Sequence, residues 1–457
     1  MKSLSLLFYA INGTGAGHIT RCVTLATEVK VLLNAIGYLA DIHLLTTSEC
    51  DIIGIDFPVW KIPSRTRIAN SDTNNSMYLR KGSFFVNNLV VALGVKTLVV
   101  DTLPQGSFNE FIGLRQQVNK AIFINRHKKE EVLKSESSQA CLNLYDMILT
   151  PDMPDQHARY VFEGTMAYKN RYIENVHGYK PFEAMNREQV CNQFGIRTEQ
   201  KIIYVSSGGG GDKNSVAYLQ LMIDELSKDP NNFLLVGYGL LYNGPKVYKS
   251  NVIPLCEPNV RKYFGGIDMA FSAAGYNSFE ELLSAQVPTA FYPLEKGFDL
   301  QDERIIIASK QNLCFYIDEL ESGSIYHAYR MLKTSAGKQI KEALSKRKFC
   351  YGATIGGFEI IKQSLSPTKN HLDFCKLLIA KEVRIYYYSQ FDKWNNISFE
   401  FMAKAVIKLL STTLSENEFQ YLMDSLSHGE HYDNRILKAI ENVISENTCQ
   451  SQVCMLA

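Results

Sequence analysis

Apolar residues along this chain gather into short unbroken runs, and between the runs they recur every three or four positions. The first run covers 4–11 and is followed by a tight turn at 13–17. Beyond it Ile19, Cys22, Ala26, Val29 and Leu33 share one helical face. Further apolar runs at 41–47, 97–100, 121–125 and 145–149 read as strands. Apolar strands alternating with helices predict a parallel sheet covered on both faces. From 151 to 186 prolines, glycines and aromatics break the rhythm. The pattern restarts with a strand at 201–206, a glycine turn at 207–211 and a helix turning Val216, Leu219, Ile223 and Leu226 inward. Strands follow at 233–236, 268–272 and 288–292, with a helix over 277–284 before the last. A polar helical stretch at 332–348 and a helix over 358–365 close this unit.

The two strand–glycine turn–helix openings lie 195 residues apart, from Gly13 to Gly208. That spacing predicts an α/β protein of two Rossmann-like domains of similar size. The division expected is 1–165 for the first domain, 166–186 for the connection and 187–365 for the second domain. Residues 366–457 read as a helical appendage around 399–410, 416–426 and 436–444, with no strand–turn–helix signature.

A chain of 457 residues, 46% hydrophobic, fits two or three domains. Its 48 Lys+Arg against 47 Asp+Glu leave no basic surplus for a nucleic-acid partner. Ten cysteines without a CxxC pair point to free thiols in a reducing cytoplasm. The first apolar run is too short to span a bilayer and lacks a cleavage site. A cytoplasmic protein is expected, with peripheral contact to a membrane left open.

Three motifs carry candidate chemistry. The first is Asn12-Gly13-Thr14-Gly15-Ala16-Gly17-His18, which leaves a strand and opens a helix. Glycines let backbone N–H groups approach a ligand, and a helix N-terminus favours negative charge. A P-loop would end in Gly-Lys-Ser/Thr, and a dinucleotide fingerprint would need glycine at His18 and an acid after the second strand. Neither is present, and a purely structural turn stays open. The second motif is Ser206-Ser207-Gly208-Gly209-Gly210-Gly211, whose N–H groups suit a diphosphate. The third is Ser272-Ala273-Ala274-Gly275-Tyr276-Asn277-Ser278-Phe279-Glu280-Glu281, with Gln301-Asp302-Glu303-Arg304 farther on. Either segment alone would read as an ordinary capped helix.

The order of these three resembles the family 28 glycosyltransferases, which include the N-acetylglucosaminyltransferase that makes lipid II. The resemblance covers 4–365 and is clearest at 268–304. It implies a GT-B fold, in which two Rossmann-like domains face a cleft, with the donor on the C-terminal side and the acceptor on the N-terminal side. By position, Gly208, Gly209, Gly210 and Gly211 would cradle the diphosphate, and Ser207, Gly275, Asn277 and Ser278 would also belong to the donor site. Glu281 would take the ribose hydroxyls, Gln301 and Asp302 the donor sugar, and the backbone near Cys256 the base. Gly13, Thr14, Gly15 and Gly17 would form the acceptor-side loop. The chain departs from the family twice: its second loop carries glycine where a hydroxyl or amide is common, and its first loop is one residue longer.

His18 is the candidate base, since a helix N-terminus keeps an imidazole neutral; a capping or packing role is the alternative. Asp101, at the carboxyl end of a strand, is its helper or the rival base, or else a helix N-cap. The activity implied is inverting sugar transfer from a nucleotide-sugar, expected to be a UDP-sugar. No metal and no cofactor beyond that co-substrate are expected. The acceptor, a small molecule, lipid-linked or a glycan, is not named by the sequence; loops such as 63–77 would select it. A nucleotide-sugar epimerase or hydrolase, with Glu163, Asp299 and Glu303 as its acids, and a non-catalytic binder remain as rivals. His428-Gly429-Glu430-His431 reads as a turn, the prenylation-like Cys454-Met455-Leu456-Ala457 as coincidence, and the sequon at Asn12 as unused.

Overall fold

The computed structural model describes residues 2–11, 16–50, 55–68, 74–125, 135–151, 162, 164–255, 257–294, 301–365, 371–390, 394, 397–427 and 433–456. The loop residues Gly13, Thr14 and Gly15, the base-contact candidate Cys256, the acids Glu163 and Asp299, and residues 428–431 lie outside them.

Seven strands form the first sheet: β1 (Lys2–Ala10), β2 (Tyr38–Thr46), β3 (Val59–Lys61), β4 (Thr97–Asp101), β5 (Lys120–Ile124), β6 (Met147–Pro151) and β7 (Asn170–Ile173). Their spatial order is β3-β2-β1-β4-β5-β6-β7, all parallel. The second sheet holds β8 (Lys201–Ser206), β9 (Asn232–Gly237), β10 (Val252–Leu255), β11 (Met269–Ala273), β12 (Thr289–Tyr292) and β13 (Phe315–Tyr316). Its order is β10-β9-β8-β11-β12-β13, again all parallel. Strand β1 shows why the apolar runs are continuous. Leu6, Phe8 and Ala10 enter one core while Leu7 and Tyr9 enter the core on the opposite face. Each sheet reverses its strand order once, between β1 and β4 and between β8 and β11. In open parallel sheets, ligands bind outside the carboxyl ends at such reversals.

Helix α1 (Gly17–Ala35) follows β1 and buries Ile19, Cys22, Ala26, Val29 and Leu33, the face read from the sequence. Helix α2 (Asn75–Ala92) lies in the first half. In the second half, α3 (Ser215–Leu226) follows the glycine turn and buries Leu219, Met222, Ile223 and Leu226. Val216, expected inward, is 38% exposed, while its neighbour Ser215 in the same turn is fully buried. Helices α4 (Tyr276–Ser284) and α5 (Gln301–Lys310) complete the elements that face the cleft.

Two boundaries differ from expectation. The stretch 166–186 contains β7, which pairs with β6 and extends the first sheet to Ile173. Only Asn170 and Ile173 of its four residues are buried, so no apolar run marks it. The second difference is larger. Helix α6 (Gly352–Leu365) crosses back to the first half and packs on α1. Glycine is required there, since a Cβ on Gly356 would lie 2.7 Å from Leu25 and one on Gly357 3.2 Å from Glu28. Helices α7 (His371–Gln390), α8 (Phe399–Thr413), α9 (Glu416–Ser427) and α10 (Asn434–Leu456) follow. They are no appendage. Leu378, Val383, Met402, Val406, Leu422 and Ile440 belong to one core with Phe8, Leu25 and Val29.

A buried ion pair joins this layer to α1. Arg384 donates to Glu28 through Nε at 3.0 Å and Nη2 at 2.7 Å. Tyr388 and Thr354 donate to the same carboxylate, each at 3.0 Å. Burial alone would raise the Glu28 carboxyl, but Arg384 outweighs it and brings it down to about 2. Among the described residues no helix is long and apolar enough to cross a membrane.

Candidate active site

His18 and Asp101 meet at the reversal point of the first sheet. The end of β1 lies beside the end of β4, with Ala10 opposite Asp101. The chain then turns into α1 and presents His18 in its first turn, with Nδ1 2.9 Å from Asp101 Oδ2. A carboxylate can only accept, so a proton on Nδ1 satisfies this contact and leaves the lone pair on Nε2; Arg21 Nη2, which can only donate, lies 3.1 Å from the same nitrogen. The Thr102 hydroxyl also lies 2.6 Å from Nδ1. Thr102 has φ of 79°, a rare conformation for a β-branched residue and one that aims its side chain back at His18.

Burial and one neighbouring charge set the ionisation of Asp101. Asp101 is fully buried, which would raise its carboxyl. Arg21 more than offsets this, with Nη2 2.8 Å from both Oδ1 and Oδ2, and holds Asp101 well below the usual carboxylate range. Asp101 therefore stays ionised and can accept a hydrogen bond from His18 Nδ1. Sequence reasoning missed Arg21, although it sits three residues after His18 on the same helical face.

The glycine turn of the second half faces this point. Gly208 and Gly210 have φ of 71° and 80°. A Cβ on Gly210 would lie 2.5 Å from Tyr238 O, so no other residue fits that bend. A Cβ on Gly209 would come within 3.6 Å of Ala16 N, which places the turn against the start of α1. Gly208 N–H is held by Ser206 Oγ at 3.1 Å, while Ser207 Oγ is buried with no hydrogen-bond partner among the described residues. Gly211 is exposed. From the end of β11, Gly275 caps α4 with open space beyond its Cα. Asn277 then donates through Nδ2 to Gly17 O at 3.2 Å, tying the start of α4 to the residue before His18.

The remaining donor-side candidates sit farther from this junction. Glu281 is buried, and its Oε1 accepts from Gly178 N–H at 3.2 Å and Arg261 Nη1 at 3.1 Å. Gln301 Oε1 accepts from Leu294 N–H at 3.0 Å. Asp302 accepts from the Tyr316 hydroxyl at 3.3 Å. Ser278 is half-buried in the first turn of α4. Tyr276 is a further residue the sequence did not single out. Its hydroxyl lies 3.2 Å from Pro151 O and from Val176 N, and 3.1 Å from Asn175 Oδ1, so it bridges both halves and the connection.

No family model matches the sequence, and no curated protein is similar to it in sequence. Solved structures are similar in shape. Os79 from O. sativa, in complex with U2F and trichothecene, is 12% identical, covers 78% of this chain and 100% of its own, and has a TM-score of 0.55. Phytolacca americana UGT2, complexed with UDP-2fluoro-glucose and pterostilbene, is 13% identical over 81% of this chain and 100% of its own, at 0.51. The spinosyn rhamnosyltransferase SpnG, complexed with thymidine diphosphate, is 12% identical over 81% and 100%, also at 0.51. The two parallel sheets and these neighbours give the chain the GT-B fold.

Proposed function

We propose that this chain is an inverting glycosyltransferase that moves a sugar from a nucleoside-diphosphate donor, a UDP-sugar in the simplest case, to an acceptor hydroxyl without a metal ion. The observation that carries this reading is the His18–Asp101 pair at one sheet reversal, set against the glycine turn at the other. His18 Nε2 takes the proton from the acceptor hydroxyl. The acceptor oxygen bonds to the anomeric carbon from the face opposite the nucleotide. The bond to the diphosphate breaks and its electron pair leaves on phosphate oxygen. N–H groups of Gly209, Gly210 and Gly211, with the N-terminus of α4 at Gly275, meet that charge, while Gly208 N–H is held by Ser206 Oγ. The uridine and thymidine nucleotides in the UGT2 and SpnG structures support a pyrimidine diphosphate, and the order of the motifs supports kinship with family 28. The acceptor is a small molecule, lipid-linked or a glycan.

The test is a panel of nucleotide-sugars read by thermal shift, followed by turnover of the stabilising donor with acceptor pools. His18→Ala is expected to lower kcat by about 10²–10⁴-fold with donor affinity nearly unchanged, and Asp101→Asn to be milder. Donor consumed equally well without acceptor would point to a hydrolase or epimerase. Donor bound but never turned over would point to a binding protein.

A further inference from the structure

Arg21 has no part in the transfer step, yet it is a fully buried charge beside the His18–Asp101 pair. It is 2% exposed, and its Nη2 lies 2.8 Å from both Asp101 oxygens and 3.1 Å from His18 Nδ1. Its Nε is buried without a hydrogen-bond partner among the described residues. From the opposite half the Tyr276 ring covers the guanidinium at 5.7 Å, and Arg304 lies 5.7 Å from the same ring. Cys22, next along α1, is fully buried, and burial pushes its thiol well above the ordinary range. Among the described residues, these are charged and titratable groups near His18 on α1, β4, α4 and α5.

We propose that Arg21 is a positioning residue that keeps His18 neutral, by claiming the Asp101 charge that would otherwise draw a proton onto the imidazole, with Tyr276 holding it in place from the other half. A buried carboxylate beside an imidazole favours the imidazolium, because an opposite charge within about 4–6 Å stabilises the charged form. With a guanidinium on both oxygens, that pull is cancelled. A proton on Nε2 would also set a second cation 3.1 Å from Arg21 Nη2. Asp101 thus orients the ring without ionising it, and the lone pair stays on offer near neutrality. The Tyr276 face favours the cation that does this. Tyr276 also begins the helix whose N-terminus faces the donor, so the base is set only where the two halves meet.

The inference rests on His18 being the base, and its test needs no substrate. Histidine-labelled full-length chain is titrated by NMR. Arg21→Met is expected to raise the His18 midpoint by about one to two pH units, Arg21→Lys to stay near wild type, and Asp101→Asn to fall below it. An Arg21→Met midpoint equal to wild type, or Arg21→Lys rising as far as Arg21→Met, overturns the proposal. If Arg21→Met does not fold, Asp101→Asn decides, and a midpoint at or above wild type overturns it. A chain inert in every transfer assay would sink the transfer reading and leave this titration standing.

Discussion

The two halves repeat one topology but close their cores differently. Every buried member of the second half's core lies between Tyr179 and Leu344, so that half is built from its own chain. The main core of the first half runs from Leu4 to Val443 and takes in the last five helices. The half with the glycine turn has a core of its own, whereas α1, which presents His18 and Arg21, is clamped between its sheet and α6, α7 and α8. On the proposed reading His18 is a base that must be held in place, and burial on both sides does that for a helix.

Removing the cover is the strongest way to break the comparison. A chain ending at 365 should expose the apolar faces of α1 and α6 and leave Glu28 buried without Arg384. Loss of a native first half is expected, while the second half keeps its structure. Hydrogen exchange by mass spectrometry reads both: full protection of β1 and α1 in the truncated chain would show that the helical layer is dispensable.

Next in size is the single contact at the heart of that layer. Arg384→Met removes the partner of a carboxylate that is 1% exposed, and breaking a buried pair typically costs about 3–5 kcal/mol. Urea unfolding should show that loss in the transition of the first half. Glu28→Gln combined with Arg384→Met should cost less than Arg384→Met alone, because no charge is left stranded. A double variant as unstable as the single would assign the loss to packing.

Acid should separate the halves in sequence. His177, in the connection, is 6% exposed with Nε2 3.1 Å from Ser284 Oγ, and burial lowers it from its ordinary 6.5 to about 4. Its folded value is depressed, so its stability is present above pH 6.5 and is lost as pH falls toward about 4, by at most about 3 kcal/mol. Glu28, with an ordinary value of 4.5 and a folded value of about 2, loses a similar amount below pH 4.5. The connection is therefore expected to weaken before the α1 clamp. Stability measured from pH 7 to 3 should fall in two stages, and His177→Gln should flatten the first. A single fall below pH 4.5 in the wild type would remove His177 from the account.

How much of this was legible in the sequence follows from what each signal encodes. Apolar runs found β1, β4, β8 and β11 because strands buried on both faces have nothing polar to interrupt them. They missed β7, where Asn170, Arg171 and Tyr172 carry no such run, and β3 and β10, which are short edge strands. The periodicity of 399–410 identified a helix but not its partner, since an apolar stripe does not say which surface it meets. His18 and Asp101 could be paired because both follow carboxyl ends of strands. Arg21 was visible as an i+3 neighbour, whereas the φ of Thr102 and the reach of Tyr276 across the cleft depend on tertiary geometry alone.

The smallest expected effect concerns Glu281 and sharpens what the self-contained half uses its buried charge for. The motif order gives it the ribose hydroxyls, while its Oε1 already accepts from Gly178 in the connection and from Arg261. A carboxylate has a second oxygen and several lone pairs, so both roles fit one side chain. Glu281→Ala should then weaken donor binding by about 1–3 kcal/mol and also lower the unfolding midpoint of the second half, since Arg261 loses its partner. Glu281→Gln, which keeps an acceptor oxygen, should recover most of the stability and less of the affinity. Calorimetry and thermal unfolding on the same samples separate the two. If stability falls while donor affinity holds, Glu281 serves the joint between the halves and the ribose is held elsewhere.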